Sequence, residues 1–345
     1  MKAIFKDKPG PGAVLKDVDV PKIGPNDVLI KIEAASICGT DVHIYEWDAW
    51  AQNRIKPPLI FGHECAGKVV EAGDRVNPDE VKLGDLISVE THVFDDHCFQ
   101  CKTGNKHICE NMKIFGVDIN GVFADYAVVP AKNAWVNDPK MQSEIASIQE
   151  PFGNAVHTVF EGGAPSGDSA LVLGCGPIGL CAIGILKAIG AYPIYAVEPL
   201  PFRANLALKM GATVVFDSSK TDYVKEILGE THGKGVGAVL EMSGHGSALQ
   251  KGFKVLRPGG KMNILGVFAN DVPLDVSNGI VFKYARVHGI NGRRIWDTWE
   301  KTHDLLANGK VDVRPLLTHR FALADFEKGF AAIAAGEAAK VILRP

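Results

Sequence analysis

Apolar positions in the first third of the chain come in short alternating runs. Residues 13–21 (AVLKDVDVP), 27–36 (DVLIKIEAAS) and 65–73 (CAGKVVEAG) are rich in Val and Ile and bounded by Gly, Pro, Asn or Asp, which predicts strands. Several short strands at this spacing suggest a small barrel. Thr40 to Ile55 breaks the rhythm and is predicted to be partly helical. Near Pro151 the period changes. From Ser169 onward, strand-like runs alternate with helical ones: SALVL then a helix from Pro177 to about Ile189, IYAVE then a helix through Asn205 and Leu208. TVVFD leads to a helix near Val224–Leu228, AVLEM to one near Ala248–Leu256, and NILGV follows. Alternation of this kind predicts a parallel sheet covered by helices on both faces, an α/β doubly wound domain. After Gly289 the pattern is less regular, with amphipathic helices expected at Trp296–Ala307 and Leu323–Ala335 and a last strand at KVIL.

The length of 345 residues fits two domains. Composition excludes more than it identifies. Hydrophobic residues at 46% and charged residues at 22% are those of an ordinary globular chain. A net charge of −3 argues against a nucleic-acid or anionic-membrane partner. The start, MKAIFKDKPGPG, lacks the apolar core of a signal peptide, so a cytoplasmic protein is expected. Ser169 to Leu186 is uncharged and nearly long enough to span a bilayer. Five glycine or proline breaks inside it read better as strand, turn and buried helix. Seven cysteines, an odd number in such a chain, suggest metal binding or plain burial rather than a disulfide framework.

The turn Gly174-Cys-Gly176-Pro-Ile178-Gly179 fits G-x-G-x-x-G between an apolar strand and a helix. Gly174 allows the tight turn, Gly176 lets the backbone approach a pyrophosphate, and Gly179 lets helix and strand pack closely. Glu198 ends the next strand and could accept hydrogen bonds from both ribose hydroxyls, favouring NAD over NADP. Arg203, close by, could stack on adenine or hold phosphate. The plain alternative is a tight turn without a ligand, with Glu198 capping a helix.

Two constellations could hold metal. Asp95, Cys98, Cys101 and Cys109 have intervals of x2, x2 and x7, the spacing of a closed, structural Zn²⁺ lobe with a carboxylate where a fourth thiolate would be usual. His92, His97 and His107 are near enough to substitute, and three buried free thiols are the alternative. The second set is Cys38, His63 and Glu64, with Glu150 ahead of a Pro-Phe-Gly-Asn turn at the apparent domain boundary. One thiolate, one imidazole and one carboxylate would leave a coordination position open, as catalytic zinc requires. Residue types alone leave packed side chains as the commoner reading.

Together these residues resemble the zinc-dependent medium-chain alcohol dehydrogenases. Gly62-His63-Glu64 matches the family's G-H-E, Asp95 to Cys109 its four-ligand lobe, and Gly174 to Gly179 its coenzyme turn. Cys38 to Tyr45, Trp47 to Trp50, Glu150 to Thr158, Gly292 to Trp299 and Leu317 to Phe321 resemble the members that oxidise L-threonine. Polyol and secondary-alcohol dehydrogenases are the alternative within the family. The resemblance implies a GroES-like β-barrel catalytic domain of residues 1–150 and 292–345, with the zinc lobe at 92–110. It implies a Rossmann NAD-binding domain of residues 151–291. It further implies that Cys38, His63 and Glu64 hold the catalytic zinc with Glu150 as a second acid, and that Thr40 and His43 relay a proton. His92 would lie near the substrate. Gly174, Gly176, Ile178, Gly179, Glu198, Arg203, Leu265, Gly266, Val267, Ile290 and Asn291 would contact NAD. Asp95 departs from the family's Cys. A homotetramer joined through a strand of the Rossmann sheet is also implied. A non-catalytic NAD sensor with only a structural zinc would not need the open metal position.

Overall fold

A computed structural model describes residues Met1–Pro345. The chain separates into two compact units, Met1–Glu150 with Leu317–Pro345, and Pro151–Leu316. The first is built on a seven-stranded sheet in the order Ala134–Val136, Leu86–Val89, Glu64–Ala72, Asp27–Ser36, Lys340–Arg344, Leu317–Ala322, with Tyr126–Pro130 also pairing with Asp27–Ser36. A three-stranded sheet of Val14–Asp17, Lys2–Lys6 and Leu59–Ile60 accompanies it. Alternation in Asp27–Ser36 turns Val28, Ile30 and Ile32 into a core with Phe61, Phe123 and Phe330, as period-2 patterning dictates. At the end of that strand, Ser36 lies opposite Glu64 on one neighbour and Ile342 on the other.

The second unit holds a six-stranded parallel sheet in the order Val214–Phe216, Ile194–Val197, Ala170–Leu173, Val236–Glu241, Leu256–Ile264, Arg286–Gly289. In sequence terms this is 3-2-1-4-5-6, the doubly wound order whose direction reverses beside its first strand. The uncharged stretch resolves into strand Ala170–Leu173 and helix Pro177–Ala188. No helix is long and apolar enough to cross a membrane.

Two expectations are corrected. Residues 292–316 cluster with the second unit rather than the first. Buried Arg293 lies over Gly153, where a Cβ would come 2.8 Å from its Cδ, and donates to Asn154 Oδ1 at 3.1 Å. Val311 likewise packs on Gly184. The expected Pro-Phe-Gly-Asn turn is instead the start of helix Gln149–Phe160. Pro151 falls in the first turn, where a missing N–H costs nothing.

That helix is held at its other end by the sheet. Lys261, 3% exposed, donates Nζ to Val159 O (2.9 Å), Glu161 O (2.7 Å) and Gly163 O. Asn263 adds Thr158 O at 2.6 Å and Glu161 O at 3.0 Å. The pairing satisfies carbonyls that a helix end leaves open. Burial pulls the Lys261 pKa down to about 8, with Arg286 adding to the effect. Below about 8 the ammonium is charged in both folded and unfolded chains. From there to about 10.5 only the unfolded chain keeps the proton, so stability rises with pH across that window. A Lys261→Met variant is expected to lack up to about 3 kcal/mol of that rise. Urea melts at pH 8 and 10 check this, and identical pH dependence in parent and variant would refute it.

Candidate zinc and dinucleotide sites

Cys38 is the N-cap of helix Gly39–Glu46. Its sulfur receives the N–H of Asp41, and its own N–H goes to Asp41 Oδ2 at 2.9 Å. This reciprocal cap fixes both the thiol and the acid. His63 follows Gly62, whose backbone has φ 87° and is crowded by Phe123, 2.3 Å from where a Cβ would stand. Only glycine fits there. His63 is buried, with Nδ1 3.4 Å from Asp41 Oδ1. Burial works against its charged form, but Asp41 and Cys38 outweigh that and raise its pKa well above the ordinary value. A proton and a metal therefore compete for this imidazole.

Glu64 begins its strand and is completely buried. Its Oε2 receives Ser36 Oγ and the ammonium of Lys340, 2% exposed, which also donates to Ile37 O at 3.1 Å. The cross-strand register around Ser36 delivers all three residues to one place. Ligand atoms of Cys38, His63 and Glu64 lie within 4.8 Å of one another. Glu64 Oε1 is buried without a hydrogen-bond partner, an arrangement that native interiors reserve for a reason. The donor set suits zinc. Glu150, 6% exposed in the first turn of its helix, stands outside that group, though its charge is felt by Lys340.

Thr40 and His43 share the helix that Cys38 caps. Thr40 Oγ1 is 3.9 Å from the Cys38 sulfur. His43 is exposed, with Nδ1 2.6 Å from Asp48 Oδ2. His92 N donates to the buried Glu90 carboxylate at 2.9 Å. In the lobe, Asp95, Cys98, Cys101 and Cys109 also bring their ligand atoms within 4.8 Å. His97 and His107 are not in that group. Asp41, Ser36 and Lys340 escaped the sequence reading. Asp41 is legible in hindsight from its position between Thr40 and His43. Nothing in KVIL marks its lysine as buried.

The glycine turn in the second unit sits at the carboxyl end of the first parallel strand. Gly174 has φ 89°, and a Cβ on Gly179 would come 2.1 Å from Gly174 O. Gly176 caps helix Pro177–Ala188 and faces open space, as an approaching phosphate requires. Ile178 is half-buried in the first turn. Glu198 ties the turn from the next strand. Its Oε2 receives Cys175 N–H at 2.9 Å and its Oε1 receives Leu200 N–H at 3.0 Å. Arg203, in helix Pro201–Met210, joins it along a cavity of about 490 Å³ lined also by Gly174, Gly176 and Ser243. Leu265, Gly266 and the exposed Val267 follow strand Leu256–Ile264, and Ile290 and Asn291 follow Arg286–Gly289. These are again carboxyl ends, where open α/β sheets bind ligands. A larger cavity of about 580 Å³ between Ser247 and Lys283 holds none of these residues. Lys283 there is spent on the carbonyls of Phe253 and Leu256.

The chain belongs to the zinc-dependent medium-chain alcohol dehydrogenases. Residues 24–139 match the family described as alcohol dehydrogenase GroES-like domain, and residues 177–308 match zinc-binding dehydrogenase. Among its relatives, the L-threonine 3-dehydrogenase of Thermococcus kodakarensis is 50% identical over 346 residues, covering 100% of this chain and 98% of that one. The L-threonine 3-dehydrogenase of Caldanaerobacter subterraneus is 49% identical, covering 100% and 99%. A zinc-binding dehydrogenase from Sinorhizobium meliloti, solved bound to NADP, superposes with a TM-score of 0.92 at 29% identity, covering 100% and 99%.

Proposed function

We propose that this protein oxidises the 3-hydroxyl of L-threonine to 2-amino-3-oxobutanoate with NAD. The observation that carries the substrate is the similarity of about half of all positions, end to end, to L-threonine 3-dehydrogenases. Zinc, when bound, supplies a Lewis acid that makes an alcohol a stronger proton donor, and NAD supplies the hydride acceptor. Cys38, His63 and Glu64 would hold that zinc, and Glu150 is the second acid for ligation or proton transfer. Asp41 orients His63 and backs its charge. Thr40 takes the hydroxyl proton and passes it to His43 on the next turn of the same helix. His43 is exposed and held by Asp48, so it can release the proton to water. His92, steadied by Glu90, is assigned to the substrate side. The lobe takes the structural zinc.

In the second unit the helix N-terminus at Gly176 receives the pyrophosphate, and Glu198 and Arg203 receive the adenosine. Leu265 to Val267, Ile290 and Asn291 complete the dinucleotide contacts. A homotetramer in the cytoplasm belongs to the same reading. Strand Arg286–Gly289 supports it, being an edge strand with Val287 40% exposed.

NADH formation by the zinc-loaded protein on L-threonine, L-serine, sorbitol and a simple secondary alcohol tests the proposal. L-Threonine is expected to give the highest kcat/KM. L-Serine, which lacks one methyl, should fall about 10–200-fold lower. Faster turnover of sorbitol or the plain alcohol would replace the substrate with a polyol or secondary alcohol.

A further inference from the structure

The lobe carries a departure of its own. Where a fourth soft sulfur would stand, the chain has Asp95, and the structure shows how that carboxylate is held. Oδ1 receives the N–H of His97 at 2.8 Å and of Cys98 at 3.0 Å. Oδ2 receives Asn111 Nδ2 at 2.6 Å. The backbone turns sharply just after it, Asp96 having φ 65°. Lys106 and Lys132 each ion-pair with Asp96 at 2.8 Å and flank the ring of buried Phe94. The turn is therefore rigid on its backbone side.

The four corners of the site are unequal. Cys101 and Cys109 are each 6% exposed, Cys98 is half-buried, and Asp95 is half-buried with exposed Asn111 as its side-chain partner outside the three sulfurs. Thiolates are the preferred ligands of zinc in such lobes, and a carboxylate is a harder, weaker-holding donor there. Outer partners of a metal ligand fix its orientation.

We propose that Asp95 is the exchange corner of the lobe's zinc site and that Asn111 is the latch that keeps it closed. This rests on the reading that the lobe holds zinc. Zinc leaves by the side where the weakest donor meets solvent. With Asn111 bonded, the Asp95 carboxylate stays turned toward the three sulfurs. When that bond opens, Oδ2 is free to rotate away while Oδ1 keeps capping the turn. The lobe zinc is thereby readily exchanged through one corner, and the three cysteines remain in place to take it back.

The test follows zinc transfer from the loaded protein to excess 4-(2-pyridylazo)resorcinol. Cys109→Ser identifies the phase that belongs to the lobe. Asn111→Leu is expected to speed that phase about tenfold or more, and Asp95→Cys to slow it by a similar factor. Asp95→Asn keeps an oxygen to accept the His97 and Cys98 N–H groups but lacks the carboxylate charge. It is expected to speed release, whereas a purely capping role for Asp95 predicts the parent rate. In the cobalt-loaded protein, Asp95→Cys should add one sulfur-to-cobalt charge-transfer contribution, which a change in folding alone would not do. Two zinc per chain with equal release rates in all variants would overturn the latch and leave the zinc lobe standing. A second zinc found only in Asp95→Cys would also overturn the proposal. One zinc per chain in every variant would instead overturn the reading that the lobe holds metal.

Discussion

Replacing Cys38 with serine is expected to lower kcat by about 10³-fold or more and to remove one zinc per chain, with NADH binding changed less than about twofold. A bound Lewis acid contributes several kcal/mol to alkoxide-like charge, and about 4 kcal/mol corresponds to that rate factor. Cys38 is the one sulfur in its group of three donors, and a serine hydroxyl does not ionise at neutral pH to replace it. Serine is itself a favoured helix N-cap. Helix Gly39–Glu46 should therefore keep its start, and Asp41 its bond to the residue-38 N–H. Loss of activity with an intact melting temperature would thus report the metal rather than the fold. The measurements are steady-state turnover, zinc content and NADH fluorescence titration. Near-parental turnover with the zinc retained would remove Cys38 from the ligand set.

In the zinc-free protein, Lys340→Met is expected to cost about 3–5 kcal/mol of stability, because it strands the Glu64 carboxylate in the interior. Both partners of the pair are essentially sealed from solvent. Ser36 Oγ remains on the carboxylate, but one hydroxyl does not offset a buried charge. Such a loss corresponds to a Tm lowered by roughly 6–20 °C. Adding Glu64→Gln to the same chain should restore part of it, since the residual partner is then neutral. A Tm within about 1 °C of the parent for Lys340→Met would show that the pair does not carry this energy.

What was legible from sequence was local. The glycine turn, its flanking strand and helix, and Glu198 all fall within residues 170–198, and their spacing states their geometry directly. The Cys-rich lobe is equally compact. The sequence did not reveal which strands would lie side by side. Lys340 meets Glu64 because the last strand pairs beside Ser36, a contact no local period encodes. The helix at Gln149–Phe160 was hidden by turn-like chemistry in Pro-Phe-Gly-Asn. Burial of the helix and the position of Pro151 in its first turn override that propensity. The spacing makes Glu198 a candidate ribose acceptor, but its hold on the Cys175 and Leu200 N–H groups is not legible there. Charge and backbone pairing of that kind depend on loop conformation, which residue types leave open.

The first unit is split in the sequence, and this bears on how the chain is made. Strand Lys340–Arg344, which completes the sheet beside Asp27–Ser36, leaves the ribosome roughly 190 residues after Glu150. At about 5–20 residues per second that is a wait of about 10–40 s. Throughout it the nascent amino-terminal region has an open sheet edge and the Glu64 carboxylate has no ammonium. Open edges invite pairing with other chains. Translation speed and chaperone supply should therefore affect the yield of active protein.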